Sequence, residues 1–296
     1  MKRWNLKYPR RFDLGSDDDY LKWRDEKLAA YPKNIGELVV ELGDMTAPTA
    51  AEKNRILETV ERANMCIYTA GAAELEMASL LALGRQLGVS RTDKSARHAQ
   101  SDELTDSGIL NRAVPFSTRH CNWHTDATYY GSGNPIQALF LLCKRPAVEG
   151  GSNKILDHEM LYIHLREQDP GALEVLMNRD CFNYRNPATG EVDPQRGGKV
   201  FWTNADGHLC HRFSFRKTDM AWSGESDAAV ARKVLESLIS GEPEQVIEGR
   251  LESGMGLISN NVLHTRERLV DSSDAAQKRL LFRARFHDRV DPGRPA

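Results

Sequence analysis

Hydrophobic positions along this chain change their spacing near residue 120. Upstream they fall at helical intervals: Ile56, Leu57, Val60 and Ala63 share one face of a helix. Thr49-Ala50-Ala51-Glu52 stands at its start as a capping box, in which the threonine hydroxyl and the glutamate each take a free amide of the first turn. Asp17-Asp18-Asp19 opens an earlier helix that runs through Ala30 and stops at Pro32. Residues 38–42 and 65–68 read as short strands, and the leucine-rich stretch 72–87 as a further helix ending near Gly88. Residues 90–113 are polar and weakly periodic, and read as a long loop. Such a loop suits an active-site lid, and a solvated surface excursion fits it equally well.

Downstream the texture becomes short β-like runs at 137–143, 153–156, 181–185, 200–203, 208–215, 246–251, 255–259 and 279–286. Asn186-Pro187-Ala188-Thr189-Gly190 and Asn204-Ala205-Asp206-Gly207 read as hairpin connections. Helices are expected at 158–166 and 227–240, the second stopped by Gly241. Many short strands with packed helices predict a mainly β fold with flanking helices (α+β) around a double-stranded β-helix, or jelly-roll, core. No repeat or composition break forces a second domain. Residues 1–296 are expected to form one, with 1–113 a helical and strand part that includes the lid loop and 114–296 the jelly-roll core.

Composition narrows the partners. Forty basic residues against forty-two acidic ones leave a formal charge of −2, so no global field draws the protein to nucleic acid or an anionic membrane. Any anion must be recognised locally. No apolar stretch approaches the ~20 residues of a membrane span, and the basic start Met1-Lys2-Arg3-Trp4 lacks the apolar run of a secretory signal. Five cysteines, odd in number and without C-x-x-C spacing, argue against a disulfide framework or a zinc ribbon. A soluble cytoplasmic protein is expected.

Candidate chemistry begins at Asn122-Trp123-His124-Thr125-Asp126. In extended backbone, residues two apart project to one face, so His124 and Asp126 can converge on one ion, with His120 and Asn122 on the same side. Alone, His-x-Asp is weak, and a strand histidine bonded to its neighbour explains His124 as well. His264, in Val262-Leu263-His264-Thr265-Arg266 after an apolar strand, changes the balance. Two imidazoles and one carboxylate cover one face of an octahedron and leave three positions open, the ligand set of mononuclear non-haem iron(II) sites. A strand carrying Arg279 and Arg283 follows.

In these elements, with Gly150-Gly151 after an apolar strand, the chain resembles the Fe(II)/2-oxoglutarate-dependent dioxygenases of the TauD/TfdA superfamily. The resemblance spans residues 122–283. It implies that His124, Asp126 and His264 bind Fe(II), that Arg279 pairs with the distal carboxylate of 2-oxoglutarate, and that O2 is the second co-substrate. A planar, always-charged fork suits that carboxylate. Where the family often places threonine or serine after the glycine pair, this chain has Asn153, whose amide can donate the same bond. Both this and a longer interval between His264 and Arg279 set it apart from taurine dioxygenase itself.

Arg283 occupies the position of the family's substrate anchor, and either binds a substrate anion or braces Arg279. His120 and Tyr129 are candidates for substrate contact, against a structural role for the first and ordinary packing for the second. Trp202, Asn204, His211 and Arg212 are further candidates for the pocket wall, and His208, Cys210 and His211 are read as structural. The expected activity is oxidation of a small polar molecule, anionic or amino-acid-like, with 2-oxoglutarate decarboxylated to succinate. Two alternatives stand beside it: a zinc hydrolase using Cys121, His124 and Asp126 or His264, and a non-catalytic jelly-roll binding protein. No nucleic-acid or membrane partner is expected, and homo-oligomerisation, common in the family, is left open.

Overall fold

A computed structural model describes residues 4–71, 75–93, 103–106, 116–131, 133–186, 189–215 and 220–293. Most of the expected lid loop, and part of the first hairpin connection, lie outside the described residues. In chain order the elements begin with α1 (Trp4–Lys7), α2 (Asp18–Ala30), β1 (Val39–Glu41), α3 (Ala50–Ala63), β2 (Met65–Thr69), α4 (Met77–Gln86), β3 (Glu103–Leu104) and β4 (Cys121–His124). Next come β5 (Ala138–Arg145), β6 (Glu149–Gly150), β7 (Asn153–Leu156), α5 (His158–Gln168), α6 (Pro170–Asn178), β8 (Phe182–Arg185), β9 (Val192–Gly198), β10 (Phe201–Thr203) and β11 (Leu209–His211). The chain closes with β12 (Met220–Trp222), α7 (Ser226–Ser240), β13 (Ile247–Gly249), β14 (Met255–Ser259), β15 (Leu263–Arg266), β16 (Leu269–Val270) and β17 (Leu280–Phe286). By Cα proximity the chain divides into two interleaved compact units.

The first unit comprises Met1–Tyr31, Trp123–Pro135 and Leu156–Val246. Helices α5, α6 and α7 pack together, beside the sheet β12-β8-β9 and the hairpin β10-β11. The β10-β11 turn is the expected one: Asn204 N–H donates to His208 O, and Gly207 takes φ +76°. Helix α2 buries Tyr20 and Trp23, which meet Tyr162 of α5 and Phe12 edge-on. It also buries Lys27, whose ammonium lies 2.7 Å from Asp157 and 2.6 Å from Glu159. Nothing in the sequence marked this internal charge cluster, since a lone lysine on a helix ordinarily faces water.

The second unit comprises Pro32–Asn122, Ile136–Ile155 and Ile247–Ala296. Its larger sheet has six strands in the order β1-β2-β14-β5-β17-β3. Phe140, Leu142, Ile258, Phe282, Ala284 and Phe286 project from one face into a core closed by Ile56 and Val60 of α3 and Leu80 and Leu83 of α4. Each of the larger side chains contributes about 1.5–3 kcal/mol by burial, Ala284 less. The capping box of α3 is present in both directions. By alternation, Leu139, Leu141, Arg283 and Arg285 face the opposite side. A smaller sheet runs β13-β7-β15-β4.

Several elements differ from expectation. β9 and α6 form where no element was expected; Pro170 sits at the tolerated first helical turn, with Asp169 capping Ala172 N–H. β3, within the expected loop, pairs with β17. The apolar run before His264 is two strands, not one. Ser259 ends β14, Asn261 takes φ +52° and donates to Ile136 O, and β15 starts at Leu263 in the other sheet.

Candidate metal centre

The motif around His124 is fixed by backbone pairing. Thr125 N–H donates to Phe213 O (2.9 Å), Phe213 N–H returns to Thr125 Oγ1 (3.3 Å), and Phe215 N–H donates to Trp123 O (2.9 Å). His124 is the last residue of β4, whereas Asp126 lies in the turn that follows, so strand alternation accounts for only half of the pair. The two side chains still converge: His124 Nε2 is 3.7 Å from Asp126 Oδ1, and both residues are buried.

His264, on β15, completes the cluster. One ligand atom each from His124, Asp126 and His264 lies within 4.8 Å of the others. His264 Nδ1 is 3.0 Å from Val262 O. A carbonyl only accepts, so Nδ1 carries the proton and Nε2 keeps its lone pair for a ligand, the usual outer support of a metal-binding histidine. Two imidazoles and a carboxylate at ligand spacing, those of His124 and Asp126 buried and that of His264 half-buried, fit a divalent transition ion. Cys121, which the zinc alternative needs, is not in this group. Among the described residues, no other His, Cys, Asp or Glu cluster has ligand spacing, so His208, Cys210 and His211 form none.

Arg279 sits one residue before β17, ahead of a bulge between Leu280 and Leu281, rather than on the strand itself. Its backbone N–H donates to Asp271 Oδ1 (2.7 Å). The residue is 9% exposed, and burial, then repulsion from the Arg266 guanidinium, pushes the pKa of its side chain down to about 10. It stays cationic at neutral pH. Arg266, on β15, is also buried and donates to Ser117 O (2.7 Å) and Arg119 O (2.6 Å). Two neighbouring buried cations favour an anion between or beside them. Arg266 was legible as a motif residue but not as this partner; its two-residue spacing from His264 on one strand is the signal that could have marked it.

Arg279 and Asn153 line one narrow cavity with Gly150, Gly151, Arg250 and Leu281. Its volume, ≈ 10 Å³, is about one water's worth, so a dicarboxylate enters only if the lining parts. Asn153 Nδ2 donates to Gly151 O (3.2 Å). Gly150 and Gly151 take φ of +67° and +77°, and a Cβ on Gly150 would run into Arg268 O, so this turn requires glycine. Arg283 is buried on β17 opposite Leu141, and Arg285 on the same face pairs with Asp93 at 2.9 Å.

The substrate candidates fare differently. His120 is exposed just before β4. Tyr129 is half-buried, its ring 4.9 Å from that of Tyr130 and 6.2 Å from that of Tyr184. Trp202 is half-buried on β10, and His211 is buried, stacked on His158 at 4.8 Å. Arg212 spends its donors on backbone carbonyls.

The chain is similar to several known proteins. A uridine-5'-phosphate dioxygenase from Streptomyces sp. is 30% identical over 188 residues, 61% of this chain and 66% of that protein, just under two thirds of its length. AAD-2, solved with Mn(II) and N-oxalylglycine, superposes with a TM-score of 0.61 at 14% identity, covering 86% of this chain and 95% of that one. A taurine dioxygenase from Burkholderia xenovorans gives 0.59 at 17% identity, covering 86% and 89%. Both structures share the fold of this mixed helix-and-sheet chain. The family model for the taurine catabolism dioxygenases TauD, TfdA matches residues 28–285, and the chain belongs to that family.

Proposed function

We propose that this protein is an Fe(II)/2-oxoglutarate-dependent dioxygenase whose substrate is a small anionic metabolite, with a nucleoside 5′-monophosphate the first candidate. The observation that carries the metal assignment is the convergence of His124, Asp126 and His264 within 4.8 Å. The substrate class rests on the matched relatives, two of which are named uridine-5'-phosphate dioxygenases. His124, Asp126 and His264 would hold iron(II), which with 2-oxoglutarate would supply the dioxygen activation needed to oxidise a substrate, with succinate and carbon dioxide as the co-products.

The chain's own residues have separate tasks. His264, oriented by Val262 O, and the His124/Asp126 pair hold one face of the ion and leave the other for co-substrates. Arg279 receives the distal carboxylate with Asn153 beside it, and the repulsion from Arg266 favours that anion's arrival. Arg283 holds the substrate's anion or braces Arg279, and His120 and Tyr129 are the further candidates for substrate contact. Apart from the small β16-β6 pair, strands alternate between the two sheets along the chain, from β4 to β5 to β7 and from β13 to β14 to β15 to β17, which supports a double-stranded β-helix core. The family match spans segments of both compact units, which supports one catalytic domain. Five free, buried cysteines suit a reducing cytoplasm, and no described helix is long and apolar enough to cross a membrane.

The test is succinate formation with iron(II), ascorbate and 2-oxoglutarate across nucleoside monophosphates, sulfonates and amino acids. Succinate that rises with a nucleoside monophosphate and disappears in His264→Ala is expected. Equal turnover in His264→Ala would remove the metal assignment, and turnover with another class alone would remove the nucleotide.

A further inference from the structure

We propose that Arg212 is a positioning residue for the metal centre: its guanidinium fixes the turn that carries Asp126, and so sets metal affinity without touching the ion. The inference rests on the metal assignment above.

The turn needs outside help. Asp126 opens it, Tyr130 N–H closes it on Ala127 O (3.0 Å), and Ala127 stands at φ +58°. A residue with a Cβ is strained there and persists only where its surroundings over-determine it. On the upstream side, Phe213 pairs with Thr125, directly before Asp126. On the downstream side the next residue back, Arg212, reaches across. Its Nη1 donates to Tyr130 O and, at 3.5 Å, to Thr128 O. The same group reaches Arg196 O (3.4 Å), and Nη2 donates to Gly197 O (2.9 Å), both on β9. Two consecutive residues therefore grip the turn on either side of its strained alanine and tie it to a strand.

The use of this arginine is geometric. It is 3% exposed, it lies over the Phe182 ring at 4.5 Å, and burial pushes its pKa down to about 10, against a weaker opposite pull from Asp180. A cation placed for its charge would meet a carboxylate; this one meets four backbone carbonyls. A rigid fork of five donors serves several carbonyls at fixed angles, which a lysine ammonium cannot do. Because those carbonyls belong to residues just past Asp126, loosening them lets the carboxylate drift from the two histidines.

Arg166 provides the control. It is buried in the same unit and also donates to backbone carbonyls, of Arg11, Asp13 and Ser16, but none belongs to the Asp126 turn. Mn(II) binding to metal-free protein, measured by calorimetry with thermal unfolding alongside, separates positioning from general support. Arg212→Met is expected to weaken Mn(II) binding by roughly 10–100-fold, the usual scale for outer support of metal ligands, and Arg212→Lys by a smaller factor. Arg166→Met should lose thermal stability and keep Mn(II) affinity within about twofold of wild type by the same reasoning. Ala127→Gly, which relieves the strain, should recover part of the affinity lost in Arg212→Lys. Wild-type affinity in folded Arg212→Met, or an equal loss in Arg166→Met, would overturn the proposal; if the methionine variant does not fold, unchanged affinity in Arg212→Lys does so. Wild-type protein that takes no Mn(II), or His124→Ala that binds it equally, would remove the metal assignment itself, a separate outcome.

Discussion

Replacing Lys27 with methionine isolates a buried charge cluster outside the metal centre. Lys27 and Asp157 have no exposed side-chain surface, and Glu159 only 7%. Methionine keeps most of the volume and removes the ammonium, leaving two carboxylates in the interior with their counter-charge gone. Breaking a buried pair in this way costs about 3–5 kcal/mol. For a protein of this size that lowers Tm by roughly 6–15 °C.

The loss should depend on pH, with a sign fixed by Asp157. Burial pushes its pKa up from 3.8 to about 6, with Lys27 pulling down and Glu159 pushing up. A raised folded-state pKa means that the protonated form is favoured by folding. That contribution is complete below about pH 4 and is lost as pH rises through about 6. Without the ammonium the downward pull is gone, so Asp157 in the variant holds its proton still higher and at pH 5 is neutral. Glu159 runs the other way: its pKa lies down near 2, Lys27 being the largest of the groups that lower it, so its contribution is present at both pH values and lost only in strong acid. Thermal unfolding of wild type and Lys27→Met at pH 7.5 and 5.0 measures this. The destabilisation should be smaller at pH 5.0. A loss under about 1 kcal/mol at pH 7.5, or the same loss at both pH values, would refute an uncompensated buried charge as the cause.

Two further outcomes concern the co-substrate. Arg279→Gln should raise the dissociation constant for 2-oxoglutarate by roughly 10–150-fold, the value of charge-assisted hydrogen bonds of about 1.5–3 kcal/mol, with metal affinity unchanged; anaerobic titration reads both, and an unchanged 2-oxoglutarate constant would move the carboxylate elsewhere. Gly150→Ala forces a Cβ into Arg268 O at φ +67°, so both thermal stability and 2-oxoglutarate affinity should fall, and a variant with wild-type values in both would show that this turn does not shape the cavity.

What the sequence made legible follows from how local each determinant is. The capping box of α3, the Gly207 turn and the apolar faces of β5 and β17 are written in neighbouring residues, and the structure has them. The candidate triad was legible because His124-x-Asp126, Gly150-Gly151, His264 and Arg279 stand together in the order of the family's motifs, although Asp126 reaches its place through a turn rather than through strand alternation. The determinants that escaped are those in which one side chain answers to groups far away in the chain. Lys27 reads as a surface lysine until Asp157 and Glu159 arrive from α5. Arg212 reads as a candidate for the pocket wall, because nothing beside it announces that its partners are carbonyls at 128, 130, 196 and 197. A ligand's identity is thus carried by a short motif, whereas its position is carried by residues with no motif at all. In this chain, a change of metal affinity with His124, Asp126 and His264 intact should therefore be sought at residues such as Arg212.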